Sequence, residues 1–125
     1  MRIEKRHFMT DSDMNLLFEG FNETFFASRL PSYIRVKFKS PKYLKKINPH
    51  HEADAAWRPK LGEIWIDSTY ARSESISCIM LLHEMAHAAL EGVYVGHPSK
   101  NPGHGMIYQA ELYRLFLAGA YDGLL

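Results

Sequence analysis

The sequence predicts an α+β domain in which a small antiparallel sheet of three strands packs against helices. Three observations carry that expectation. Apolar residues recur at three- and four-residue intervals early in the chain and crowd residues 76–90, as they do on helices turned towards a core. Residues 33–39 alternate apolar and basic side chains, the period of a half-buried strand. Two further short runs, 53–57 and 62–67, are joined by Arg58-Pro59-Lys60-Leu61, which suits a hairpin connection.

In chain order, the opening helix is expected from about Asp11 to Ser28. Thr10 and Asp13 have capping-box spacing, Met14, Leu17, Phe18, Phe21 and Phe25 form an apolar stripe, and Pro31 marks the exit. Asn22 interrupts the stripe, so its amide must hydrogen-bond a neighbouring loop or strand. In the first strand Ile34, Val36 and Phe38 face one way and Arg35, Lys37 and Lys39 the other. Residues 40–51, with Pro41, Lys42, Lys45, Lys46 and Pro49, read as a loop whose His50 and His51 lie in solvent. The hairpin strands follow, with Ile64 and Ile66 on one side and Glu63, Trp65 and Asp67 on the other. Ser73 is the expected N-cap of the next helix, which Gly92 would end.

A length of 125 residues and 46% hydrophobic content fit a single domain, residues 1–125. No segment is apolar enough for long enough to span a bilayer. Arg2, Lys5 and Arg6 are not followed by the apolar stretch of a secretory signal. Cys78 is the only cysteine, which excludes an intramolecular disulfide and a cysteine-built zinc ribbon, and its apolar neighbours give it a packing role. A cytoplasmic location is expected. Net charge is +1, but residues 29–60 hold nine Lys or Arg against Glu52 and Asp54. This asymmetry marks Arg35, Lys37, Lys39, Lys42, Lys45 and Lys46 as candidates for contacting nucleic acid, DNA or RNA, or an acidic partner, although lysines on an outer strand also discourage edge-to-edge aggregation.

The chemistry centres on His83-Glu84-Met85-Ala86-His87. Positions i and i+4 of a helix share a face, so two imidazoles there can grip one metal ion. The helix around them is apolar on most sides and should be buried, and a zinc ion would give the imidazoles a partner. In a HExxH helix the Glu serves the zinc-bound water, the nucleophile, rather than the metal. The competing reading is a pair of hydrogen-bonded core histidines. A third ligand is expected from the segment that follows, where His97, His104 and Glu111 are the candidates. His104 is preferred, because Gly103 and Gly105 let the backbone approach an ion closely. The last helix then keeps Tyr108, Leu112, Leu115 and Phe116 for packing.

These features resemble the SprT-like metallopeptidase family, whose members include Spartan-type proteases that degrade proteins crosslinked to DNA. The likeness covers most of the chain. It runs through Leu17-Phe18-Glu19-Gly20-Phe21-Asn22 with Phe25-Phe26 and Leu30-Pro31, Ile34-Arg35-Val36-Lys37-Phe38, Ala55-Ala56, and Gly62-Glu63-Ile64-Trp65-Ile66. Its most specific part is His83-Glu84-Met85-Ala86-His87-Ala88 followed by Gly103-His104-Gly105 and Tyr108. The resemblance implies a zincin-like fold, a zinc ion on His83, His87 and His104, catalysis by Glu84, and a protein or peptide substrate. The family often appends a cysteine-rich zinc ribbon or DNA-binding tail, and this chain, ending at Leu125, reads as a minimal form. Tyr94, Tyr108 and Tyr113 are candidate oxyanion donors, each with a packing or surface role as the alternative. The competing functional class is a zinc-stabilised module that holds DNA or a protein through residues 29–60 and cleaves nothing.

Overall fold

A capping box sets the start of the first helix, α1, which spans Asp11–Phe25. Thr10 Oγ1 accepts the Asp13 N–H at 3.1 Å, and Asp13 Oδ2 accepts the Thr10 N–H at 2.9 Å, so two N–H groups without helical partners are paired. The computed structural model describes residues 8–47, 54–91 and 105–124.

The helix stops short of the expected Ser28 because Ala27 and Ser28 take left-handed φ values of 53° and 57°. Each such residue without a glycine costs about 1 kcal/mol or more, and Asn22 supplies the bonds that hold the turn. Its carbonyl accepts the Ser28 N–H at 2.8 Å. Its buried side chain accepts the Leu30 N–H at 3.1 Å and donates to the Leu30 carbonyl at 3.0 Å, as the sequence requires of an amide in an apolar stripe.

Three strands follow: β1 (Arg35–Lys39), β2 (Ala55–Arg58) and β3 (Glu63–Asp67). Their order in the sheet is β1-β3-β2, with β1 parallel and β2 antiparallel to β3. The sheet is therefore mixed, where the sequence suggested an antiparallel one. The physical reason is the route of the chain. Leaving β1, it crosses to the far edge as β2, and the hairpin then returns β3 into the gap beside β1. Parallel neighbours need a crossover of a dozen or more residues, and residues 40–62 supply it.

Part of that crossover is a second correction. Pro41–Ile47, expected as loop, forms a helix, α2. Pro41 occupies the first helical position, where its fixed φ and missing N–H do no harm. Leu44, fully buried, is the one apolar anchor, too little to show as a period.

A 3₁₀ turn, Ser68–Arg72, leads from β3 into helix α3, Glu74–Leu90. Ser73 caps α3 as expected, its Oγ accepting the Ile76 N–H at 3.1 Å; the helix ends at Leu90, and Gly92 lies outside the described residues. The last helix, α4, spans Met106–Leu117. Val36, Ile64 and Ile66 on the inner sheet face join Met14 and Phe18 of α1, Leu81, Leu82 and Met85 of α3, and Tyr108 and Leu115 of α4 in one core. Phe116, expected in that core, is 55% exposed, because α4 buries only the face that carries Tyr108 and Leu115. Cys78 is buried as expected, and burial pushes its thiol up to about 11, which leaves it protonated and inert. Among the described residues no helix is long and apolar enough to cross a membrane.

Replacing Asn22 by Ala leaves the buried N–H and C=O of Leu30 without a partner. The unfolding free energy should fall by about 2 kcal/mol or more, read as a lower urea midpoint at unchanged slope. A negligible loss would mean that the Asn22–Leu30 bonds do not hold the exit from α1.

Candidate metal centre

Helix α3 brings three of the expected site residues together. His83 and His87 lie one turn apart with ring centroids 5.2 Å from each other and their planes at 66°. Glu84 sits beside them, its Oε2 4.0 Å from His83 Nε2. Donor atoms of His83, Glu84 and His87 all lie within 4.8 Å of one another, the one such group of potential metal ligands among the described residues. Both imidazoles are half-buried, whereas Glu84 is only 6% exposed. Two nitrogen donors reachable from one side, with a carboxylate beneath them, fit a borderline divalent ion such as Zn²⁺ better than Ca²⁺ or Mg²⁺, which favour oxygen-rich sets.

Glu84 is held where it is by the sheet. Its carboxylate accepts the backbone N–H of Trp57 on β2. Burial pushes its pKa up to about 7, and the Trp57 hydrogen bond opposes the rise. A carboxyl in this range is suited to taking and giving a proton near neutral pH.

Helix α4 closes the site from the other side through Tyr108. The Tyr108 ring stacks on His87, centroids 4.2 Å apart at 18°, and meets His83 edge-on at 5.4 Å. Its hydroxyl donates to the His83 carbonyl at 3.0 Å. Tyr108 is fully buried, and its O–H points to the backbone of α3. Tyr113, the second tyrosine considered as an oxyanion donor, is 63% exposed.

The expected third ligand, His104, lies outside the described residues, as do His97, Tyr94, His50 and His51. The next residue along the chain from His104, Gly105, is the N-cap of α4. Glu111, the remaining alternative, gives both carboxylate oxygens to Arg114 at 2.9 and 2.7 Å and is not in the histidine group.

No protein-family model, curated protein or solved structure matches this chain. The site therefore stands on its own geometry.

On the opposite face of the sheet the basic residues do not form the even row that strand alternation suggests. Lys37 is ion-paired with Glu63 at 2.7 Å, and Arg35 turns back to the carbonyls of Ser32 and Ile34, both at 3.1 Å. Lys45 lies exposed in the last turn of α2 and makes no part of the cluster described next. Lys39 lies 4.8 Å from the Trp65 ring and 5.3 Å from the Tyr43 ring, while Lys42 and Lys46 lie 5.5 and 5.7 Å from Tyr43. Arg58 reaches the Trp65 ring at 4.6 Å. The two rings meet edge-on at 6.4 Å. Tyr43, Trp65 and Arg58 were absent from the sequence-based set; an outward-facing tryptophan on a strand was the signal for them.

The hydrogen bond from Lys37, with a second from the Trp65 indole, lowers the Glu63 pKa below its ordinary value of 4.5. A depressed carboxylate pKa contributes stability above the unfolded value and loses it as pH falls through the folded one. Glu63→Gln should therefore lower stability at neutral pH by no more than about 1 kcal/mol, since Lys37 is 42% exposed and screened. Urea titrations at a series of pH values should show the gap closing below the ordinary carboxylate pKa. A gap that persists unchanged in acid would remove this ion pair as its cause.

Proposed function

We propose that the protein is a zinc metallopeptidase, a SprT-like domain of zincin-like fold, with His83, His87 and His104 as metal ligands and Glu84 as general base. The observation that carries the reading is the clustering of His83, Glu84 and His87 donor atoms within 4.8 Å on a buried helix. His104 enters on the family resemblance and on its flanking glycines. A bound Zn²⁺ supplies Lewis acidity towards a water molecule and the carbonyl of the scissile peptide bond. Glu84 accepts the proton of the attacking water and returns it to the leaving amine. Trp57 N–H fixes the carboxylate for both transfers, and the substrate we propose is an extended or unfolded polypeptide, which can reach the half-buried imidazoles. A cytoplasmic location suits a chain whose single thiol is buried and unpaired.

The test compares wild type with Glu84→Gln, which keeps the size of the side chain but has no proton affinity near neutral pH. Zinc content should stay at one ion per chain, while cleavage of unfolded protein, or of protein crosslinked to DNA, falls by about 10² to 10⁴. Metal analysis of His83→Ala and His104→Ala should show loss of zinc, and that of His97→Ala and Glu111→Ala should not. Equal cleavage by wild type and Glu84→Gln would refute Glu84 as the base.

A second reading, association with single-stranded nucleic acid, is favoured by the Tyr43–Trp65 pair and the four cations around it. Aromatic faces accept bases, and lysines beside them neutralise phosphates. If Lys39, Lys42, Lys46 and Arg58 each take one phosphate, log K should fall against log salt with a slope of about −3. Trp65 fluorescence should report the binding, and Lys39→Glu with Lys42→Glu and Lys46→Glu should abolish it while leaving peptide cleavage intact. No binding at low salt removes nucleic acid from the account.

A further inference from the structure

A histidine that is to hold an ion must present one ring nitrogen in a narrow range of directions, within about 10–20°. Helix geometry alone does not settle that direction, since χ1 of a helical imidazole still has two staggered wells and its χ2 is broad. The Tyr108 ring removes that freedom at His87, lying nearly parallel to it with centroids 4.2 Å apart. The same residue reaches the other imidazole-bearing position, because its hydroxyl donates at 3.0 Å to the His83 carbonyl. That carbonyl is also the one which the α-helical pattern offers to the N–H of residue 87. One side chain of α4 thus touches both histidines of α3.

We infer that Tyr108 is a positioning residue for the metal centre: its ring pre-orients the His87 imidazole, and its hydroxyl fixes the backbone at His83. This rests on the metallopeptidase reading of the site. Ordering the imidazole before the ion arrives removes part of the entropy loss that binding would otherwise carry. An imidazole that donates to a cation becomes electron-poor, and its stack on the electron-rich phenol ring is then strengthened. The hydroxyl is spent on the same helix, since Tyr108 is fully buried and its O–H donates to the His83 carbonyl. A core residue chosen only for volume would need neither the ring nor the hydroxyl.

The experiment measures zinc affinity by chelator competition, together with the ligand-field absorption of the cobalt-substituted protein, in folded Tyr108→Leu, Tyr108→Met and Tyr108→Phe. Tyr108→Met keeps most of the volume and remains informative if Tyr108→Leu does not fold. The two ring-less variants should bind zinc about 10- to 100-fold more weakly, as is usual when a group supporting a metal ligand is lost, with shifted cobalt bands. Tyr108→Phe, which keeps the ring and loses the hydroxyl, should weaken binding by a few-fold, less than the ring-less variants, and wild-type affinity there overturns the role given to the hydroxyl. Leu115→Ala, which empties a fully buried position of the same helix, should lower stability and leave affinity and cobalt spectrum unchanged. Wild-type affinity and spectrum in the ring-less variants overturn the inference, and so does an equal loss of affinity in Leu115→Ala. A wild-type protein that binds neither zinc nor cobalt defeats the metallopeptidase reading itself, a result distinct from either.

Discussion

Helix α3 has to be buried on most of its sides and yet accommodate a carboxylate and two imidazoles, and the rest of the structure depends on how that conflict is met. Leu81, Leu82, Met85 and Ala86 are all fully buried, so the helix cannot rotate to expose Glu84 without bringing an apolar residue into water. Glu84 must instead find a donor inside. It finds the N–H of Trp57, which lies on β2, at one edge of the sheet. An edge strand has backbone groups with no strand partner, so the order of strands is what makes a donor available to this carboxylate. Had β3 closed the edge instead, Glu84 would have met a strand with neighbours on both sides.

The mixed sheet also keeps two chemistries apart. With β3 at the centre, Ile64 and Ile66 join Val36 under α1 and α3, whereas Glu63 and Trp65 point to the side where α2 lies. Charge follows the same division. The cations of α2, β1 and β2 gather around Tyr43 and Trp65, and the histidines stay on α3. Like charges so crowded repel one another, and the aromatic faces, with Glu63 beside them, offset part of that repulsion. A change on one face of the sheet can therefore leave the other undisturbed.

Local features were legible in the sequence. Thr10 and Asp13, Ser73, the alternation of residues 34–38 and the His83–His87 spacing each involve residues a few positions apart, and each appears as expected. Asn22 was legible too, because an amide in an apolar stripe has few options. What sequence patterns did not reveal depends on contacts across the chain. The parallel pairing of β1 with β3 joins strands far apart in the chain and leaves no periodic trace. Helix α2 rests on one buried leucine, and a single anchor carries no period. Phe116 has the right spacing for a core position, but burial on α4 is decided by where α3 and the sheet lie, which the α4 sequence does not record.

The His83–Glu84–His87 group makes the fold harder to sustain. Leucine or alanine at position 84 would pack without a buried charge, and a carboxyl whose pKa is driven up to about 7 is one that folding strains to bury. Neither the core nor the helix needs the two imidazoles. Local rules of packing, capping and alternation are obeyed nearly everywhere else in the described chain, and they are broken together at these three side chains. Clusters of polar groups placed against a core at the expense of stability are where function is expected. Here the breach is organised, with a backbone donor aimed at the carboxylate and a tyrosine stacked on one imidazole and bonded beside the other. That organisation, more than the pentad alone, favours the proposed metal centre over a pair of core histidines.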